Sequence, residues 1–272
     1  VYTDYWQLDE RPFDASPARG QVFESPSLVG AQHKLRYAIE GRCEVAVLTG
    51  ASGVGKTFLL DHLRSMLSAN GFDFHTLRFP QLSPRELLSW IDVELGGTAA
   101  TTTPAADHSL RSITKSLVER TTAGRHTVLV VDEAQLLEDM GLLETLRCVS
   151  NLCHEGRALT TLVLCGQPEL LPMIARQPAL AQRVAQVALL TPLDVLETRD
   201  YVRHRIEAAG GNAKLLTSDG IAVLHELTGG VPRLVNRLLD LALVVGFAEG
   251  APHIDGNLLS SVNSELMLLR AA

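Results

Sequence analysis

The stretch that most restricts the fold of this chain is residues 45–67. A β-rich apolar run, Val45-Ala-Val-Leu-Thr49, passes directly into Gly50-Ala-Ser-Gly-Val-Gly-Lys-Thr57, and Phe58 to Leu67 then carries a helical pattern. The eight central residues fit G-x-x-x-x-G-K-[ST] at every fixed position, between the strand and the helix that this pattern requires. Glycines let the backbone curl so that successive N–H groups face one point, and the N-terminus of the following helix adds a positive partial charge there. A polyphosphate suits such a cradle. Gly50, Ala51, Ser52, Gly53, Val54, Gly55, Lys56, Thr57 and Phe58 are therefore the candidate nucleotide-binding residues. Lys56 would reach the β- and γ-phosphates of ATP, and Thr57 would ligate Mg²⁺. No G-x-G-x-x-G accompanies the stretch, which disfavours a dinucleotide fold.

A second element follows about 75 residues on. Thr127-Val-Leu-Val-Val131 reads as a buried strand ending in Asp132-Glu133-Ala-Gln135, so two carboxylates emerge at the carboxyl end of a strand, where parallel sheets place their ligands. Alone, such a pair reads as a solvated turn or a helix N-terminus. With the glycine-rich loop upstream, Asp132 becomes a candidate Mg²⁺ ligand and Glu133 a candidate base for polarising the attacking water.

The rest of the chain frames these motifs. The lead-in, 1–43, opens irregularly from Asp9 through Pro26 and continues into an amphipathic helix with Leu28, Leu35, Ala38 and Ile39 at helical spacing. From 44 to 192, strand patterns at Val45–Thr49, Phe72–Phe79, Thr127–Val131, Thr161–Cys165 and Val184–Leu190 alternate with helical ones, which predicts an α/β core with a mainly parallel sheet sandwiched by helices. Gly96 to Pro104 reads as a surface loop between two helices. Beyond Pro192 the patterns are helical only, at 195–209, 218–227, 231–248 and 255–269, with Ser218 an expected N-cap and Pro232 opening its helix. A small all-helical domain, 193–272, is therefore expected after the core.

Composition narrows the function classes. Apolar residues make up 46% and charged residues 20% of 272, an ordinary globular balance that excludes wholesale disorder. The longest apolar stretch near the C-terminus, Leu241 to Ala248, falls far short of the roughly 20 residues a membrane-spanning helix needs. The first ten residues carry three carboxylates and nothing resembling a secretory signal. Cys43, Cys148, Cys153 and Cys165 form no CxxC pair, so reduced, inert thiols and a cytoplasmic location are expected, without a zinc site. A formal charge of −7 is the wrong sign for generic adhesion to nucleic acid, although a local basic groove would suffice for a filament on DNA.

The motifs together resemble the AAA+ ATPases: Gly50 to Thr57 as Walker A and Val128-Leu-Val-Val-Asp-Glu-Ala-Gln135 as Walker B. Leu164-Cys-Gly-Gln-Pro-Glu-Leu-Leu171, Ala181-Gln-Arg-Val184, Gly229-Gly-Val-Pro-Arg-Leu-Val-Asn236 and the lead-in Tyr5-Trp6 with Arg11-Pro-Phe13 resemble the ExeA/GspA branch. That branch is tied to type II secretion and pilus biogenesis and is related to the ATPase regulators of transposition. The resemblance implies that Gln167 is sensor 1, where Asn, Ser or Thr is commoner. It implies that Arg183 is an arginine finger acting on a neighbouring subunit's nucleotide, and that Arg233 is sensor 2 in a helical lid. It further implies a homo-oligomer, ring or helical filament, that assembles or remodels a protein partner. A DNA-binding regulator of transposition or initiator type is the alternative. Secretion members carry a membrane segment and a peptidoglycan-binding region after the ATPase; neither pattern occurs by Ala272, which implies a stand-alone or truncated ATPase.

Overall fold

The computed structural model describes residues 2–14, 22–78, 82–97, 105–137 and 140–271. Contacts divide the chain into two compact units, one of 27–52 with 56–190, the other of 1–26 with 53–55 and 191–272.

Among the described residues, the first unit carries strands β1 (Val45–Gly50), β2 (Phe72–Leu77), β3 (His126–Val131), β4 (Cys153–His154), β5 (Arg157–Ala158), β6 (Thr160–Gly166) and β7 (Val184–Leu190). Five form one sheet in the order β2-β3-β6-β1-β7, each pair parallel. β1, β3 and β6 are buried along their whole length, because side chains on both faces of a parallel sheet meet packed helices. Val45, Val47, Leu129, Val131, Leu162 and Leu164 share one apolar core with α4 (Pro84–Glu94), α5 (Ala106–Thr122), α6 (Met140–Ser150), α7 (Leu170–Ala175) and α8 (Pro178–Ala181). The alternate positions Ala46, Leu48, Val128, Val130 and Val163 are equally buried. β7 closes one edge and alternates half-buried with exposed residues over its first four positions. α2 (Pro26–Glu40) lies along that edge, where Lys34 Nζ donates to the Val187 carbonyl at 3.2 Å. α4 starts on a capping box: the Ser83 hydroxyl accepts from the Glu86 N–H, and the Glu86 carboxylate accepts from the Ser83 N–H at 2.7 Å.

β2 ends at Leu77, short of the expected Phe79, which lies outside the described residues, as does most of the expected Gly96–Pro104 loop. The hairpin of β4 and β5 has no counterpart in the strand patterns. Its two-residue strands are too short to show alternation, and its turn, Glu155-Gly156, takes φ of 50° and 75°, the double left-handed step of a tight hairpin.

The second unit is helical: α1 (Tyr2–Trp6), α9 (Val195–Ala208), α10 (Ser218–Thr228), α11 (Pro232–Glu249) and α12 (Gly256–Ala271). The N-cap of α10 is Thr217, whose hydroxyl accepts from the Gly220 N–H at 3.2 Å, rather than the expected Ser218. Both residue types can cap, and the extended backbone falls one position earlier. Pro232 opens α11 as expected. The lead-in is not one segment. Residues 2–14 belong to the helical unit, where Tyr2, Trp6, Leu8 and Phe13 join Leu239 and Leu243 in its core, while α2 belongs with the sheet. The Trp6 indole N–H donates to the Leu243 carbonyl at 2.9 Å, and Arg11 pairs with Asp240 at 2.8 Å.

Candidate nucleotide site

β1 delivers the chain into the glycine-rich turn at the carboxyl edge of the sheet. Gly53 and Gly55 take φ of 84° and 106°, values that side-chain-bearing residues rarely adopt. Among the described residues, the backbone N–H groups of Ser52, Gly53, Val54 and Gly55 donate to no backbone carbonyl. α3 (Lys56–Leu67) starts immediately, so the positive end of its dipole falls at the same turn. The Lys56 ammonium is buried and donates to the carbonyls of Gly50 and Ala51 at 2.8 and 3.0 Å, so the cation is kept at the loop. Phe58, half-buried on α3, stacks its ring on that of His62.

Beside the loop, the Thr57 hydroxyl donates to Asp132 Oδ2 at 3.2 Å, while Asp132 Oδ1 accepts the N–H of Glu133 at 3.0 Å. Thus α3 and β3 bring together two residues 75 positions apart. Two oxygens at that separation match the edge of an octahedral Mg²⁺ shell, roughly 3 Å for metal–oxygen distances of about 2.1 Å. Among the described residues no cluster of three or more His, Cys, Asp or Glu could hold a metal alone, so a Mg²⁺ ion held here would need phosphate and water oxygens to complete its shell. Mg²⁺ commonly binds this way, through one or two protein oxygens with substrate phosphates. Beneath Asp132, the Cys165 thiol is buried, and burial first, then the Asp132 charge and its hydrogen bond, push its pKa upward. Cys165 therefore stays a neutral thiol.

Glu133 sits at φ 52°, a left-handed step that costs a non-glycine residue about 1–3 kcal/mol and often marks a functional position. Its carboxylate accepts from the Gln135 side-chain amide at 2.6 Å, and the Gln135 amide oxygen accepts the backbone N–H of Gln167 at 2.9 Å. Gln167 follows β6, which lies between β3 and β1. Sequence reasoning assigned no role to Gln135; it is visible only once the sheet order puts the end of β6 beside the turn after β3.

Arg183 lies elsewhere. Val45 pairs with Val184 and Gly50 with Leu190, so Arg183 precedes the amino end of the strand pair whose carboxyl end leads to the glycine-rich turn. Five steps of about 3.3 Å put roughly 17 Å between those ends, well beyond an arginine side chain. Arg183 pairs with Glu44 and lines an open cleft of about 890 Å³ with Arg42 and Arg157. In the helical unit, Arg233 is the second residue of α11. Its backbone N–H donates to the Gly53 carbonyl at 3.2 Å, and a Cβ on Gly53 would stand 3.0 Å from the Arg233 Cβ.

Comparison with known proteins accords with this geometry. General secretion pathway protein A of Aeromonas hydrophila is 34% identical over 264 residues, 93% of this chain; the chain spans 46% of that relative's length. The ORC2 protein of Aeropyrum pernix has a similar fold, with a TM-score of 0.67 at 18% identity, covering 94% of this chain and 72% of that one. The ORC1 protein of the same organism, solved in complex with DNA, gives 0.64 at 20% identity over 88% and 64%. The AAA domain family matches residues 39–174, half of the chain, and with a Walker A turn, a Walker B carboxylate pair and the parallel sheet that joins them, the chain belongs to the AAA family of ATPases.

Proposed function

We propose that this chain binds ATP with Mg²⁺ on the Gly50–Thr57 loop, hydrolyses it with Glu133 as base, and oligomerises to assemble or remodel a protein partner in a secretion- or pilus-related system. The observation that carries the reading is the meeting of Thr57 with Asp132 at 3.2 Å, with Glu133 next in sequence. In this reading the free loop N–H groups and the α3 N-terminus hold the phosphates, and Lys56 exchanges its two loop carbonyls for β- and γ-phosphate oxygens. When bound, Mg²⁺ neutralises charge on those oxygens. The Glu133 carboxylate takes a proton from the water that attacks the γ-phosphorus. Gln167 acts as sensor 1 and Arg233 as sensor 2. Arg183, too far from its own loop, serves the nucleotide of the next subunit in a ring or filament.

No helix among the described residues is long and apolar enough to cross a membrane, and we assign the ATPase to the cytoplasm. The similarity to general secretion pathway protein A favours a protein partner over DNA.

Two variants and one binding assay test the reading. Lys56→Ala should lose ATP binding by more than about tenfold with an unchanged circular dichroism spectrum, since its ammonium makes charge-assisted bonds to the ligand. Glu133→Gln should bind ATP normally and turn over at least about 100-fold more slowly. Normal ATP affinity in folded Lys56→Ala would overturn the nucleotide site. Tight, salt-dependent duplex binding, seen only with a slowly hydrolysed ATP analogue, would replace the protein partner with DNA.

A further inference from the structure

We propose that Gln135 is a positioning residue for the Glu133 carboxylate, tying it through one side-chain amide to the backbone that follows β6. The inference rests on the reading of Glu133 as the base. Each end of the Gln135 amide is engaged: Nε2 donates to Glu133 Oε2 at 2.6 Å and Oε1 accepts the Gln167 N–H at 2.9 Å. The amide cannot be turned round, because a main-chain N–H can only donate and an ionised carboxylate can only accept. The bridge therefore fixes which oxygen of Glu133 is occupied and leaves the other, Oε1, for the proton of the attacking water.

The surroundings are shaped for the bridge. Gly166, the last residue of β6, has no room for a side chain: a Cβ there would stand 2.6 Å from Gln135 Oε1, 3.1 Å from Leu170 Cδ2 and 3.2 Å from Gln135 N. Its φ is not left-handed, so glycine is set here by close neighbours, the Gln135 amide oxygen nearest of them, rather than by backbone conformation. The left-handed step at Glu133 turns the chain sharply enough for residue 135 to reach back over the end of β6. Without the amide, the Glu133 side chain has rotamer freedom at the place where the reaction needs one orientation, and misplacement by about 1 Å can cost of order 100-fold in rate.

The test uses the full chain with and without ATP. In Gln135→Ala, exchange of the Gln167 amide, followed by NMR without nucleotide, should quicken about tenfold or more as its acceptor is lost. kcat should fall about 10- to 100-fold while ATP affinity changes less than about threefold. Gly166→Ala, which pushes the amide off β6, should slow turnover, and its effect should be smaller in the Gln135→Ala background, where only Leu170 and the residue-135 backbone still crowd it. Unchanged exchange at Gln167, or an unchanged or raised kcat in Gln135→Ala, would overturn the bridge. Normal turnover in Glu133→Gln would overturn the base assignment beneath it, a separate and distinguishable failure.

Discussion

Arg183→Ala puts the assembly reading at risk. Both positions are fixed by one sheet: Arg183 precedes Val184, which pairs with Val45, while the lysine of the glycine-rich turn is held at the carbonyl of Gly50, the other end of the same strand. About 17 Å separates those ends, so the guanidinium cannot neutralise charge developing on a phosphate bound by its own subunit. If it contributes, it does so in a neighbour, where an arginine supplied to a phosphoryl-transfer site is worth about 10³- to 10⁵-fold in kcat. Arg183→Ala should therefore lower turnover by at least about 10³-fold in assembled protein while leaving the ATP affinity of dilute subunits nearly unchanged. In wild type, steady-state hydrolysis per subunit should rise with protein concentration. The decisive assay mixes two inactive variants. Arg183→Ala subunits keep Glu133, and Glu133→Gln subunits keep Arg183, so every interface that pairs them in one orientation is complete and turnover should reappear. Turnover independent of concentration, or a mixture as inactive as its parts, refutes the trans arginine and with it the ring or filament.

Two predictions concern stability. His126 is buried at the start of β3, its Nε2 2.9 Å from the Thr161 hydroxyl and its Nδ1 without a partner among the described residues. Burial first, then the Arg42 charge, holds its pKa down at about 4. The unfolded chain, with an ordinary value near 6.5, takes up the proton first as pH falls, so this stabilisation is complete above pH 6.5 and is lost on the way down to about pH 4. The loss at pH 5 should be about 2 kcal/mol; urea unfolding at pH 7.5 and 5 should show it in wild type and not in His126→Gln, and equal pH dependence in both would refute it. Trp6→Ala should cost about 3–5 kcal/mol of unfolding free energy, because it empties a buried site in the helical unit and removes the indole N–H bond to the Leu243 carbonyl. A cost below about 1 kcal/mol would mean the lead-in is not part of that unit's core.

What the sequence made legible, and what it did not, follows from how far apart the interacting residues lie. Gly50 to Thr57 is recognisable because its function depends on a contiguous backbone path: the spacing of Gly50, Gly55, Lys56 and Thr57 is itself the geometry. The buried strands were legible for a similar reason, since a strand covered on both faces leaves a run of apolar residues whatever its neighbours are. Trp6 shows the opposite case. Its indole finds a carbonyl 237 residues away, and no periodicity near residue 6 encodes that partner, so the segment reads as an irregular lead-in. Arg183 falls between: its place before β7 could be read, but not that the parallel pairing of β7 with β1 puts it at the far end of the sheet from Lys56.

Gln135 is the sharpest instance, because it stood inside a motif already read for its carboxylates. Which residue it can touch depends on β6 being inserted between β3 and β1, although β6 follows both in sequence. A parallel sheet records its strand order in crossovers tens of residues long, not in the strands themselves. The one local trace is Gly166, a glycine at the end of a fully buried strand, where a lost side chain weakens packing unless another group approaches. Here that group is the Gln135 amide oxygen, 2.6 Å from where a Cβ would be. A glycine closing a buried strand next to a catalytic turn therefore points to a close approach across the sheet, and the side chain that makes that approach is the one to test for control of the base.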